Sequence, residues 1–208
     1  MKTNSMKVLA IACGAALALV SGVSMAESQY GYASSGTGSV TAQATVKLAV
    51  TVPKLILLKV GTSDSGTGTP VQDTITWTTA FSIPAVPTTP TNGSNTGVNW
   101  DGTAPTVTAT TAGGSISVAA WTNGAGATIN CAAPTWTPAT GGPVNGDFGV
   151  TATGSLPHPG TNLGSCASTA IPVNSLATGT WAYALTGTPA NWKAGSYTAS
   201  VLYTATAP

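Results

Sequence analysis

Val40-Thr41-Ala42-Gln43-Ala44-Thr45-Val46-Lys47-Leu48-Ala49-Val50-Thr51-Val52 is the stretch on which the fold turns. Its apolar residues fall at every second position (Val40, Ala42, Ala44, Val46, Leu48, Val50 and Val52), and only Ala49 interrupts the polar residues between them. Successive side chains of a β-strand point to opposite faces, so period-two alternation over thirteen residues predicts a long strand with one buried face. Pro53 has no N–H to give to a ladder, so the strand ends or changes partner there. Leu55-Ile56-Leu57-Leu58-Lys59-Val60 then reads as a short buried strand closed by Gly61.

Outward from this stretch the same grammar repeats. Strands are predicted at 73–78, 106–111, 115–121, 127–131, 148–153, 169–173, 180–186 and 196–206. The separators carry turn chemistry: Asn92-Gly93, Asp101-Gly102, Gly113-Gly114, Asn123-Gly124, Gly141-Gly142-Pro143 and Asn145-Gly146. No segment beyond the N-terminus sustains a helical period. Eight to ten short strands with such turns predict an all-β chain, a β-sandwich of immunoglobulin-like type, as a single domain over residues 40–208. Two long loops, 81–100 and 134–147, are either functional or simply tolerated surface excursions.

Upstream, residues 27–39 are Gly/Ser-rich with little apolar content and read as a flexible leader. Residues 1–26 read as a cleaved signal peptide. Lys2 and Lys7 give the positive start, Val8 through Val20 is almost wholly apolar, and Ser24-Met25-Ala26 offers small residues to a signal peptidase. Lipidation at Cys13 ranks below cleavage, because its upstream leucine is one position too far away and the apolar run continues past it. The predicted product is secreted, extracellular or on a bacterial cell surface, with no membrane insertion after cleavage.

Removing those residues leaves 182 of 208, enough for one sizeable core. Charged residues are only 5% of the chain, arginine is absent, and the mature part holds four lysines against five acids, a net of −1. Nucleic acid requires clustered cations to neutralise phosphates, so it is excluded as a partner, and anionic membrane surfaces are disfavoured on the same ground. With 42% hydrophobic residues and a mean hydropathy of +0.25, the chain is not a disordered one. Weak charge repulsion leaves little to oppose self-association.

Few residues offer chemistry. Cys131 and Cys166 are the two cysteines beyond the signal; no histidine pair or further cysteine completes a tetrahedral set with them, so they predict a disulfide and no metal site. His158, the sole histidine, sits in Leu156-Pro157-His158-Pro159-Gly160 and reads as an exposed loop residue. Asp64, Asp101 and Asp147 each neighbour Gly or Ser and read as turn residues rather than a catalytic pair. The chain is therefore read as no enzyme, without a cofactor. Trp77, Trp121 and Trp181 fall inside strand patterns and belong to a core. Trp100, Trp136 and Trp192 fall in loops, where an indole face can either stack on a sugar ring or pack over the ends of the fold.

Two segments carry a family resemblance. Ala44 to Gly61 (ATVKLAVTVPKLILLKVG) and Ala194 to Thr206 (AGSYTASVLYTAT) are similar to the opening and closing strands of secreted bacterial fimbrial, pilin-like subunits. That resemblance implies an immunoglobulin-like sandwich that polymerises by lending an N-terminal strand to the next copy. The apolar face of residues 40–52 would then be the assembly element of a filament, pilus or surface layer, and the partner a copy of the same chain. Two departures stand out: such pilins usually carry an early disulfide and lack their own last strand, whereas here the cysteines are late and the chain ends in a strand. The alternative function is a secreted carbohydrate-binding or adhesin module, with polysaccharide contacted by Trp100, Trp136 and Trp192.

Overall fold

The computed structural model of the chain describes residues 27–62 and 72–208; the expected signal peptide and the turn at Asp64 lie outside the described residues. The chain divides into two units, one ending at Thr51 and one comprising Val52–Pro208. Among the described residues the second carries nine strands: β1 (Ile56–Val60), β2 (Thr76–Ser82), β3 (Thr106–Ala112), β4 (Ser115–Thr122), β5 (Thr128–Ala132), β6 (Phe148–Gly154), β7 (Ser168–Ala170), β8 (Ala177–Leu185) and β9 (Leu202–Thr206). The only helices among the described residues are two three-residue turns, Asn145–Asp147 and Pro189–Asn191. None is long and apolar enough to cross a membrane.

The strands form three antiparallel sheets. One is four-stranded in the order β1-β4-β8-β6, one three-stranded in the order β7-β5-β9, and one is the β2-β3 pair. The sequence patterns explain which faces are covered. In β4, Ile116, Val118, Ala120 and Thr122 are buried while Ser115, Ser117 and Ala119 point outward or to the margin. β5 contributes Ile129 and Cys131, β6 Phe148 and Val150, and β8 Ala177, Trp181 and Tyr183. Residues of the four- and three-stranded sheets thus share one core, joined by Leu156, Leu163 and Ile171 from the connections. Each of these larger side chains contributes about 1.5–3 kcal/mol by leaving water. The opposed Gly154 and Gly179 end the β6–β8 ladder where the backbones come too close for a side chain, and Gly154 has φ +95°.

Cys131 on β5 and Cys166, just before β7, form a disulfide with Cα atoms 5.3 Å apart. This bond belongs to an oxidising environment.

The expected strand at 40–52 carries no ladder among the described residues; the first paired strand is β1. In the unit ending at Thr51, Glu27 holds the early residues against the later ones. Its carboxylate accepts from Gln29 Nε2 at 2.9 Å, the Thr45 main-chain N–H at 3.0 Å and the Thr45 hydroxyl. Those two Thr45 bonds, the hydroxyl's first, keep the exposed Glu27 carboxyl below the usual range. The apolar row is solvent-exposed: Val46 is 84%, Leu48 86% and Val50 87% accessible.

Candidate functional site

Two of the edge strands face one another. β1 is the outermost strand of its sheet and β9 of its own, and the two lie against each other across the gap between the sheets. Each presents a row of N–H and C=O groups to no partner, an arrangement that invites a further strand. Between them runs an apolar groove of about 510 Å³, with Leu58 and Val60 on the β1 side and Val201 and Tyr203 on the β9 side. At one end of it Phe148 stacks on Trp136 (centroids 4.9 Å apart, 20° between planes) and meets Trp77 edge-on at 4.9 Å. The Trp77 indole N–H is buried and has no acceptor among the described residues.

A polar chain crosses the floor of the groove from one sheet to the other. The Tyr183 and Tyr203 hydroxyls are 2.6 Å apart, and Tyr203 is 2.8 Å from His158 Nε2. His158 Nδ1 donates to the Gly160 carbonyl at 2.6 Å, so Nε2 is the acceptor for the Tyr203 hydroxyl. The imidazole ring lies edge-on to Trp181 at 4.8 Å. His158 is therefore buried, 8% accessible, and not the exposed loop residue its Pro-flanked sequence suggests. Its Tyr203 partner is 45 residues away in sequence, and no local pattern announces that contact.

Burial pushes the His158 pKa below its ordinary 6.5, outweighing the opposing pull of the Gly160 bond. Burial raises Tyr183, and burial with the neighbouring Tyr183 raises Tyr203, so both stay protonated. The unfolded chain then binds more protons than the folded one just below pH 6.5, and stability falls as the medium is acidified through that window. The melting temperature is expected to drop between pH 7.5 and pH 5, and His158→Gln is expected to flatten that slope. An unchanged slope in the variant would remove His158 as its cause.

The remaining candidate residues separate. Trp136 is half-buried, stacked on Phe148, with its N–H donated to Asn145 Oδ1 at 2.8 Å; it is a packing residue at the groove end. Trp192 is half-buried, whereas Trp100 is 58% accessible, its indole N–H donated to the Thr103 carbonyl at 2.7 Å. The three loop tryptophans thus differ in exposure and only Trp100 shows a broad free face. Asp101 accepts from Thr103 N–H and hydroxyl, which hold its carboxyl below the usual range, the hydroxyl bond being the larger effect. Asp73 accepts from Thr62 beside Gly61, whose φ of +108° turns the chain at the end of β1. Asp147 accepts from Val144 N–H. These carboxylates fasten turns. No group of three or more His, Cys, Asp or Glu side chains suited to a metal occurs among the described residues.

Comparison with known proteins gave no match to any protein-family model, any curated protein or any solved structure.

Proposed function

We propose that this protein is a non-enzymatic structural subunit of an extracellular bacterial filament, pilus or surface layer, and that its copies join by β-strand addition. Residues 40–52 of one copy occupy the groove between β1 and β9 of the next. On this reading the two core sheets are an immunoglobulin-like sandwich short of one strand, and the incoming segment supplies it. The observation that carries the reading is the pairing of needs within one chain. An apolar groove lies between two open strand edges, and a thirteen-residue segment alternates apolar side chains that are exposed and unpaired.

The dimensions agree. From the isolated bridge at Thr198 to the end of β9 at Thr206 the chain covers roughly 27 Å at ~3.3 Å per residue, room for four or five alternate side chains. Main-chain ladders need no charged groups, which suits a chain with so few of them. β9 pairs with β5 on one side only, which leaves its other side for the incoming segment. A secreted setting accords with the disulfide.

Electron microscopy of the exported protein is expected to show filaments. A synthetic peptide of residues 40–52, added in excess during refolding, is expected to bind the groove and hold the protein as monomers. A chain that stays monomeric at high concentration without peptide, with residues 40–52 protected from hydrogen exchange, would overturn the proposal.

A further inference from the structure

A strand attached directly to the groove it fits has a competing option, which is to fold back into its own subunit. Only Pro53, Lys54 and Leu55 separate residues 40–52 from β1, so self-insertion requires a chain reversal in those three residues. The structure holds them straight. Asn123, one residue beyond the end of β4, accepts from the Leu55 N–H with Oδ1 at 2.8 Å and donates from Nδ2 to the Pro53 carbonyl at 2.7 Å. Its side-chain amide thereby stands in for a peptide unit of β4 and prolongs the β1–β4 ladder past Ile56↔Thr122. Two further bonds close on the Leu55 carbonyl, from Asn123 N–H at 3.3 Å and the Thr122 hydroxyl at 2.9 Å.

Lys54 adds a second restraint. Its ammonium donates to the Pro208 carbonyl just past β9, and its stem lies where a side chain at Gly124 would stand. The start of β1 and the end of β9 are thus tied together at the end of the groove where a self-inserting strand would enter. These contacts also make β1 and β9 run in opposite directions. A strand lying between them is therefore antiparallel to one and parallel to the other whichever copy supplies it, so the choice of source rests on the linker and not on ladder direction.

We infer that Asn123 is a positioning residue that commits residues 40–52 to a second copy of the chain by keeping Pro53–Lys54–Leu55 in line with β1. The inference rests on the strand-addition reading above. Asn123→Ala is expected to raise the monomer fraction at least tenfold after refolding. Those monomers should be closed on themselves, with residues 40–52 protected from hydrogen exchange and no binding of the 40–52 peptide. Asn123→Asp, which keeps the acceptor for Leu55 N–H but loses the donor to Pro53, is expected to fall between. If Asn123→Ala does not fold, Pro53→Gly with Lys54→Ala loosens the same linker from its other side and is expected to give the same closed monomers.

Two results overturn the inference: a monomer fraction unchanged from the parent in the folded variants, or monomers that still bind the peptide, which would make Asn123 a support of the fold only. Deletion of residues 27–51 separates this failure from that of the parent reading. If the truncated chain still polymerises, strand addition itself is wrong whatever Asn123 does.

Discussion

Val46→Asp combined with Leu48→Asp is expected to abolish filaments while leaving residues 52–208 as stable as before. Both side chains are exposed and lie outside the core shared by the sheets, so their loss should cost the fold within about 0.5 kcal/mol. A change of that size moves the melting temperature by no more than about 2 °C in a chain of this length. In the groove of a neighbouring copy the same two residues would contribute about 1.5–3 kcal/mol each, so their removal alone should weaken association at least a hundredfold. Burying two carboxylates there would weaken it further. Lys47→Asp, on the opposite face of the strand, is the control and should assemble nearly as the parent does. Calorimetry and light scattering on the same samples decide between the outcomes. Normal assembly of the double variant would exclude residues 40–52 as the joining strand, and a large fall in melting temperature would place them inside their own subunit.

The second large effect concerns the disulfide. Cys131 and Cys166 are 35 residues apart, and closing a loop of that size restrains the unfolded chain by about 4 kcal/mol. Replacing both by Ala is expected to lower the melting temperature by roughly 8–16 °C. Dithiothreitol should do the same to the parent and nothing further to the variant. The bond ties β5 to the approach of β7 within one subunit, so the loss should appear equally in capped monomers and in filaments. A loss under 1 kcal/mol by urea denaturation would show that the packing of Ile129 and Ile171 holds these strands without the cross-link.

Much of the architecture was legible because turns and alternation are local. Nine strands occur where the sequence placed nine of its ten, with ends shifted by a few residues: the strand expected from Asp73 begins at Thr76, and the Asp73 carboxylate instead accepts from Thr62 after β1. The segment expected as a strand from Ser196 joins the sheet only at Leu202. Residues 40–52 mark the limit. Alternation reports that one face of a segment suits an apolar surface, and it is silent on which molecule provides that surface. His158 was misread because a Pro-His-Pro-Gly sequence describes its turn and not the tyrosine that meets it. The groove itself had no sequence signature, since it arises from two edges, β1 and β9, far apart in the chain. Asn123 read as an ordinary Asn-Gly turn residue; its amide gains meaning only beside Pro53 and Leu55.

A filament joined in the proposed way would also be a load-bearing chain, and the Asn123 clamp would set how force enters each link. A pull delivered through Pro53–Leu55, held in line with β1, acts along the five pairs from Ile56↔Thr122 to Val60↔Val118 and shears them together instead of peeling them one by one. On the exit side, tension on β9 passes to β5 through another five pairs, Thr128↔Thr206 to Ala132↔Leu202. There it meets Cys131. If the strands do part, the covalent bond to Cys166 withholds the 34 residues between the cysteines, roughly 115 Å of slack at ~3.4 Å per residue. Each link would stretch in a limited step and then stiffen, and a reduced filament should lengthen further under the same force.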